Sequence, residues 1–167
     1  MYLNPKTDDL LQGDIIKNVQ QNIINIKTRN VGSNDEVLHD INTLIKTPLC
    51  VIVSHSCDAS RANAGKRVGL LVSPLTELTP DFKTKIIESS DLSEINELNA
   101  MPEGKSVPYN VFYFEPNLII NNKEYITDLS KIFSVKWCSI KIADKMLELD
   151  VENKKLFSEK IISHFYH

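Results

Sequence analysis

The sequence lacks the long apolar runs, the paired cysteines and the basic excess that mark several classes of protein. No stretch of about 18 apolar residues occurs, so we expect no transmembrane helix and no membrane partner. The three cysteines are too few, and odd in number, for a disulfide framework, which favours a reducing compartment. Residues 1–6 also lack the apolar core of a signal peptide. These absences together predict a cytoplasmic protein.

Several chemical signatures are missing as well. The chain contains no Gly-rich phosphate loop, no His-Glu-x-x-His and no Cys-x-x-Cys, so we expect no cofactor and no metal. The formal net charge of −3 excludes a protein that is basic over its whole surface, but not a local basic site. Most of the 19 basic residues are lysines, and the only arginines are Arg29, Arg61 and Arg67.

What is present indicates one globular domain. The length of 167 residues, with 42% hydrophobic and 25% charged residues, is typical of a single domain with its own core. Short apolar or Ile-rich runs bounded by turn residues predict several strands. We place these strands just after the Gly13-Asp14 pair, over residues 19–29, 48–54, 68–72, 111–114 and 132–138, and in a hairpin over residues 118–126. The predicted class is α+β, mainly β.

Three segments read as helical. The apolar spacing in residues 37–45 fits a short helix better than a strand. Thr79-Pro80 is a helix start, followed by a polar, partly helical insertion that we expect to lie outside the core. Asp150 is expected to cap a terminal helix. One face of that helix would carry Leu156, Phe157, Ile161 and Phe165.

The run Ser54-His55-Ser56-Cys57-Asp58 follows the clearest strand. Strand alternation would put His55 and Cys57 on one face, where the imidazole could activate the thiol and Asp58 could orient the imidazole. His55, Cys57 and Asp58 are therefore candidate catalytic residues. The alternative is a structural strand end, because cysteine is usually buried packing and Ser and Asp are ordinary turn residues.

Three basic residues follow this run. Arg61, Lys66 and Arg67 form a local positive segment that could bind phosphate, with a solvated loop as the alternative. His55 and Cys57 supply only two metal ligands, fewer than zinc needs. We expect Cys50 and Cys138 to lie in the core, and His164 and His167 to face solvent.

Three segments together resemble the MazF/PemK family of toxins, which are small SH3-like β-barrels. They are Gly13-Asp14-Ile15 before a strand, a Pro-x-x-Val-x-Ser pattern over residues 48–54, and the turn over residues 73–76 after an apolar strand. The resemblance implies a barrel core over residues 10–76 and 107–138, a helical insertion over residues 79–106 and a C-terminal helix over residues 150–166, all in one domain.

The toxins of this family cleave single-stranded RNA without metal. They use an arginine just before the strand proline and the threonine of the later turn. Thr76 matches that threonine, whereas Thr47 stands at the arginine position and Gln12 stands where the family has a basic residue before Gly-Asp. The catalytic arginine of the resembled family is therefore absent, and only Arg61 or Arg67, from a different loop, could replace it. If the protein contacts nucleic acid, we expect Arg61, Lys66, Arg67 and Thr76 to line the site.

Three functional hypotheses remain at this point. The first is a MazF/PemK-like protein of a bacterial toxin–antitoxin or anti-phage defence system, which binds RNA, DNA or a protein partner encoded nearby and forms a homodimer. The second is a cysteine-dependent enzyme that uses Cys57, His55 and Asp58. The third is a non-enzymatic adaptor that binds a protein through the barrel groove or the terminal helix.

Overall fold

The structure is a computed structural model that describes residues 1–4, 6–30, 37–55, 69–102 and 104–166. Nine strands make up most of the regular structure: β1 (Ile15–Ile16), β2 (Gln21–Asn30), β3 (Val37–Lys46), β4 (Cys50–Ile52), β5 (Gly69–Glu77), β6 (Val111–Phe114), β7 (Tyr125–Asp128), β8 (Phe133–Lys136) and β9 (Lys145–Leu147). The three α-helices are α1 (Pro80–Ser89), α2 (Glu97–Ala100) and α3 (Val151–Tyr166).

The strands pair in an antiparallel manner throughout. Seven of them form one sheet with the order β6-β7-β5-β4-β1-β9, and β8 pairs with the first half of β5. The predicted α+β, mainly β class is confirmed. Within the described ranges no pairing joins β9 to β6 or to β8, so the ladders do not close into a barrel.

Both faces of the central strands are buried. On one face, Ile15 and Val51 pack with Phe112, Phe114 and Phe157. On the other face, a second cluster packs around Ile16, Cys50, Ile52, Leu70 and Val72. This arrangement confirms the strand predicted within residues 48–54, and its continuous apolar run from Leu49 to Val53 is typical of a strand buried on both faces.

Strand β5 continues past the position where the sequence predicts its end. We expected Ser73-Pro74 to stop the strand, and this was wrong because β5 runs on to Glu77 and changes partner from β8 to β7. Pro74 lies opposite Cys50, between ladder bonds such as that from Leu75 N to Leu49 O at 2.8 Å. Its missing N–H therefore removes no bond to β4.

Strands β2 and β3 form a separate two-stranded ribbon with ten paired positions. The prediction of a helix over residues 37–45 was wrong, since that segment is β3. Strand alternation divides the apolar residues of this segment between the two faces of the ribbon, with Leu44 on one face and Ile41 and Ile45 on the other. Four isoleucines on that face, each about 60% exposed, are Ile24, Ile26, Ile41 and Ile45.

The insertion that begins at Thr79 packs on the sheet. Thr79 caps α1 as predicted, with its Oγ1 accepting a bond from Phe82 N at 3.4 Å. The expectation that this segment lies outside the core was wrong, because Leu98 is fully buried and packs with Tyr113 and Ile126 of the sheet. The insertion therefore covers β6, the edge strand.

Helix α3 lies against the β4–β5 face. Asp150 caps it as predicted, its Oδ1 accepting a bond from Asn153 N at 2.8 Å. Phe157 is fully buried, with its ring centroid 5.0 Å from that of Phe112. Phe165, predicted to share the apolar face of the helix with Phe157, is instead 58% exposed.

Two smaller predictions were also wrong. Leu118–Ile120 forms a 3₁₀ turn rather than a strand, and the hairpin is made by β6 and β7. Cys50 is buried as expected, but Cys138 is exposed because β8 ends at Lys136 and a 3₁₀ turn follows.

Candidate functional site

A groove opens where the ends of β4 and β5 meet α3. Its cavity has a volume of about 530 Å³. We call it the α3 groove. Its described lining consists of Gln12, Val53, Ser54, His55, Gly69, Leu71, Ser158, Ile161, Ile162 and Phe165.

Side-chain hydrogen bonds hold the walls of the α3 groove together. Gln12 Nε2 donates to Val53 O at 2.8 Å, and Ser158 Oγ of α3 donates to Gln12 Oε1 at 2.8 Å. Ser54 Oγ accepts a bond from Leu71 N at 2.8 Å. Gln12 thus connects the helix to the end of β4 and fixes the width of the groove.

The Gly13-Asp14 turn positions Gln12. Gly13 adopts a positive φ of 87°, which glycine tolerates far better than other residues, and its N–H donates to Ile52 O at 2.9 Å. A Cβ at this position would lie 2.9 Å from Leu149 Cδ1. The turn that the sequence singled out therefore supports the groove without lining it.

The lining of the α3 groove is suited to a flat, partly apolar ligand. Phe165 and Ile162 form an exposed apolar wall, and the exposed imidazole of His55 borders the opposite side. Among the described lining residues there is no carboxylate, although Asp and Glu account for 22 of the 167 residues of the chain. The described lining therefore presents aromatic surface and contributes no carboxylate that would oppose an anionic ligand.

The predicted catalytic and phosphate-binding residues fall mostly in one segment. His55 lines the α3 groove, whereas Cys57, Asp58, Arg61, Lys66 and Arg67 lie outside the described residues. The segment that carries them, residues 56–68, joins His55 to Gly69, and both of these residues line the groove. The groove is therefore the described surface at which both ends of that segment arrive.

Thr76 lies elsewhere. It is exposed on β5, five positions beyond Leu71, which at about 3.3 Å per residue is roughly 17 Å along the strand. The β4–β5 register, which pairs Cys50 with Pro74, brings Thr76 next to Pro48 and near Thr47. The two positions of the resembled catalytic pair thus meet, but as two threonines at the end of the strands away from His55.

Sequence reasoning missed three features of the groove. Gln12 was noted only as a departure from the resembled family, and Phe165 was noted only as part of the apolar face of the terminal helix. The role of Ser158 could not be predicted from the sequence, because its hydrogen bond to Gln12 joins positions 146 residues apart. His164, expected to face solvent, is half-buried, with its ring centroid 5.2 Å from that of Phe165.

A buried ionic cluster lies behind the Gly13-Asp14 turn. Lys145 Nζ contacts Asp14 Oδ2 at 2.8 Å and Glu148 Oε2 at 2.7 Å, and all three side chains are almost fully buried. Burial raises the pKa of Asp14 to about 6 despite its bonds from Lys145 and Leu11 N. Burial would also raise the pKa of Glu148, but bonds from Lys145, Lys154 and Thr7 outweigh it and lower that pKa to about 2. The cluster lies apart from the groove lining.

No family model matches the chain, and no curated protein matches it significantly. Within the described ranges, none of the helices combines the length and apolar character that crossing a bilayer requires. The same part of the chain holds no group of three or more His, Cys, Asp and Glu side chains arranged to bind a metal ion.

Proposed function

We propose that the protein binds single-stranded RNA in the α3 groove, as a divergent MazF/PemK-like, SH3-like barrel protein of a bacterial toxin–antitoxin or anti-phage defence system. The observation that carries the proposal is the meeting of His55 and Phe165 at one groove whose described lining has no carboxylate. Two of the three arginines of the chain lie in the segment whose ends reach this groove.

The physical basis of the binding is stacking combined with phosphate neutralisation. An unpaired base can stack on Phe165 or His55, which contributes about 1–3 kcal/mol per base in single-strand binders. Arg61, Lys66 and Arg67 would neutralise the phosphates of the same strand and release counterions. A net charge of −3 is compatible with this role, because the site needs only a local positive segment.

Cleavage of the RNA is not part of the proposal. The resembled chemistry needs a cation to stabilise the charge that develops on phosphorus. Thr47 stands at the position of that cation, and together with Thr76 it supplies hydroxyl groups only. We therefore expect binding without metal-independent hydrolysis.

Fluorescence anisotropy with a labelled 12-nucleotide RNA at two salt concentrations tests the proposal. Phe165→Ala should weaken binding by about 5- to 150-fold, the equivalent of one lost stacking contact. The double change Arg61→Ala and Arg67→Ala should reduce the salt slope by about 1.4, since each phosphate contact on a single strand contributes about 0.7.

Tyr166→Ala is the matched control, because Tyr166 is exposed on the same helix but does not line the groove. It should bind RNA within twofold of the unchanged protein. Absence of binding at low salt, or an equal loss in the Phe165 and Tyr166 variants, would reject the proposal.

A cysteine-dependent reaction in the same groove is the second candidate function. The observation that favours it is the position of His55 in the groove wall, two residues before Cys57. This reaction requires a reactive thiolate, so labelling of Cys57 by a thiol probe should titrate well below pH 8.5. An ordinary thiol pKa, or labelling unaffected by His55→Ala, would exclude it.

A further inference from the structure

A second cavity, of about 440 Å³, lies at the base of the β2–β3 ribbon against β8. Its lining is dominated by amides and hydroxyls, and we call it the amide cavity. The polar side chains that line it are those of Asn18, Gln20, Asn22, Ser134, Lys136 and Ser139.

The amide cavity and the α3 groove share one surface. In the β5–β8 ladder, Leu71 pairs with Ser134 and Gly69 with Lys136. Residues directly opposite in an antiparallel pair point to the same face, with Cβ atoms about 4.5–5.5 Å apart. Gly69 and Leu71 line the α3 groove, while their partners line the amide cavity. The two cavities are therefore neighbours across a single pair of strands.

Gly69 lies at the boundary between the two cavities and has no side chain that would separate them. A Cβ at this position would lie 2.5 Å from Ser134 Oγ, closer than real Cβ contacts come. Any larger residue at position 69 would therefore force Ser134 to move at the point where the cavities meet. A chain-like ligand can pass over this point.

The side chains of the amide cavity suit a neutral ligand that offers both hydrogen-bond donors and acceptors. Each amide supplies both kinds of group, and Lys136 adds one positive charge. Asn18 is held in place, because its Nδ2 donates to Asp144 Oδ1 at 2.7 Å. As in the α3 groove, the described lining contains no carboxylate, so a metal ion or an amine finds no anionic partner there.

We propose that the amide cavity is a second subsite of the RNA track, where the identity of a base is read. This proposal depends on the RNA binding proposed above and assigns a different task to each cavity. Stacking in the α3 groove tolerates any base, because every base has a π-face. The amides of Gln20 and Asn22 discriminate among bases, because they pair with the donors and acceptors on base edges, and Lys136 binds a flanking phosphate.

Binding of 8-nucleotide poly(A), poly(C) and poly(U) RNA, and of the corresponding DNA, tests this division of roles. The unchanged protein should bind one of the three RNAs at least about tenfold more tightly than the RNA that it binds most weakly. A difference of this size is within the range of one good amide–base contact. The double variant Gln20→Ala with Asn22→Ala should reduce this ratio of affinities below about threefold, while the affinity for the most weakly bound RNA stays unchanged. Lys136→Ala should weaken all RNAs equally and reduce the salt slope by about 0.7.

The control variant is Asn25→Ala with Asn42→Ala. These asparagines form a directly opposed pair on the other face of the ribbon and should leave both affinity and preference unchanged. Gln20→Met with Asn22→Leu keeps the side-chain size, and it serves as the test pair if the alanine variant loses the thermal transition of the unchanged protein.

The outcomes separate the two proposals. If RNA binds and Phe165→Ala weakens it, but base preference is absent or survives the amide changes, the second subsite is refuted and the RNA-binding function stands. If the DNA binds as tightly and with the same preference, the subsite stands but the assignment of RNA is overturned. If the unchanged protein binds none of the strands, both proposals fail.

Discussion

At the scale of single residues, Asn99 of α2 takes the place of a neighbouring strand at the edge of the sheet. Its Oδ1 accepts a bond from Tyr113 N at 2.7 Å, and its Nδ2 donates to Tyr113 O at 2.8 Å. Both groups belong to β6, which ends the sheet. The amide therefore satisfies the two backbone groups of Tyr113 that would otherwise be buried without partners.

Asn99→Ala should lower the free energy of unfolding by about 2–4 kcal/mol, because it leaves a buried donor and a buried acceptor unpaired. Asn96→Ala is the matched control, since Asn96 precedes the same helix, is exposed and makes no capping bond through its side chain. Urea denaturation measures both variants. Similar losses in the two would contradict the role assigned to Asn99.

Lys160 is a charged residue in an environment from which lysine side chains are usually excluded. It is fully buried in α3, and its Nζ donates to Pro108 O at 2.8 Å. Burial lowers the pKa of Lys160 to about 8. The folded state therefore binds this proton less readily than the unfolded state, and the contribution of Lys160 to stability improves as pH rises from about 8 toward 10.5.

Lys160→Met should raise the free energy of unfolding at pH 7 by about 1–2 kcal/mol, because it replaces a buried charged side chain by an apolar one of similar length. The gain should shrink as the pH approaches 9.5. Lys155→Met, at an exposed position of the same helix, should change stability little at any pH. Thermal denaturation between pH 7 and 9.5 provides the comparison. A destabilised Lys160→Met variant would show instead that the bond to Pro108 dominates.

At the scale of elements, the β2–β3 ribbon is separable from the sheet. Its two strands pair with each other over ten positions and with no other strand in the described part of the chain. Its apolar face remains exposed. The ribbon therefore contributes amides at its base to the amide cavity and contributes little to the two main cores.

Removal of residues 21–46 should leave the rest of the protein folded. Gln21 and Lys46 face each other in the ladder, so an Asn-Gly turn can join Gln20 to Thr47. We expect cooperative unfolding within about 1 kcal/mol of the intact protein, since Val19 and the rest of its core cluster are retained. Loss of a cooperative transition in calorimetry would show that the ribbon is part of the core.

The ribbon also shows why sequence reasoning succeeded at some elements and failed at others. Strand β4 could be predicted because a strand buried on both faces is a short continuous apolar run, which is visible in the local sequence. The spacing of Ile41, Leu44 and Ile45 fits a helix face, and the strand that makes this segment a strand is β2, where the partners of these three residues lie 15 to 23 positions away. The local pattern of apolar residues therefore cannot predict that this segment pairs with β2.

The same limit applies to the candidate site. His55 could be singled out because it follows an identifiable strand. The wall that faces it comes from α3, more than a hundred residues later, and is fixed by the bond from Ser158 to Gln12. Phe165 has the same helical spacing as buried Phe157 and Ile161, so its exposure cannot be read from the sequence pattern. The chemistry of the groove could thus be foreseen in part, but its apolar wall could not.

At the scale of the whole molecule, the Asp14–Lys145–Glu148 cluster connects distant parts of the chain. Thr7 N donates to Glu148 Oε2 at 2.7 Å, and Lys154 Nζ of α3 contacts Glu148 Oε1 at 2.6 Å. The pKa of Glu148 is lowered to about 2, so the stability it contributes is present above pH 4.5 and is lost as pH falls toward 2. Asp14, with a raised pKa, acts in the opposite sense and favours the folded state as pH falls from about 6 to 4.

The free energy of unfolding contributed by this cluster should therefore be greatest between pH 4 and 5. Glu148→Gln should lower stability at pH 7 by about 3–5 kcal/mol, since it leaves buried Lys145 with Asp14 as its one remaining carboxylate partner in the cluster, and should abolish the loss between pH 4.5 and 2. Asp14→Asn should abolish the change between pH 4 and 6. Glu152→Gln, exposed in the first turn of α3, is the control. Urea titrations across pH 2–7 measure all three variants, and unchanged pH profiles would refute the assignment.

The antiparallel pairing of β1 with β9 also governs how the protein can fold while it is being made. Ile15 pairs with Leu147, 132 positions later. At about 5–20 residues per second, a ribosome needs roughly 7–26 s to synthesise the intervening chain. Throughout that time the apolar faces of β1 and β4 lack part of their final covering, whereas the ribbon can close on its own within microseconds. Nascent chains of this protein are therefore expected to need chaperone protection until β9 has left the exit tunnel.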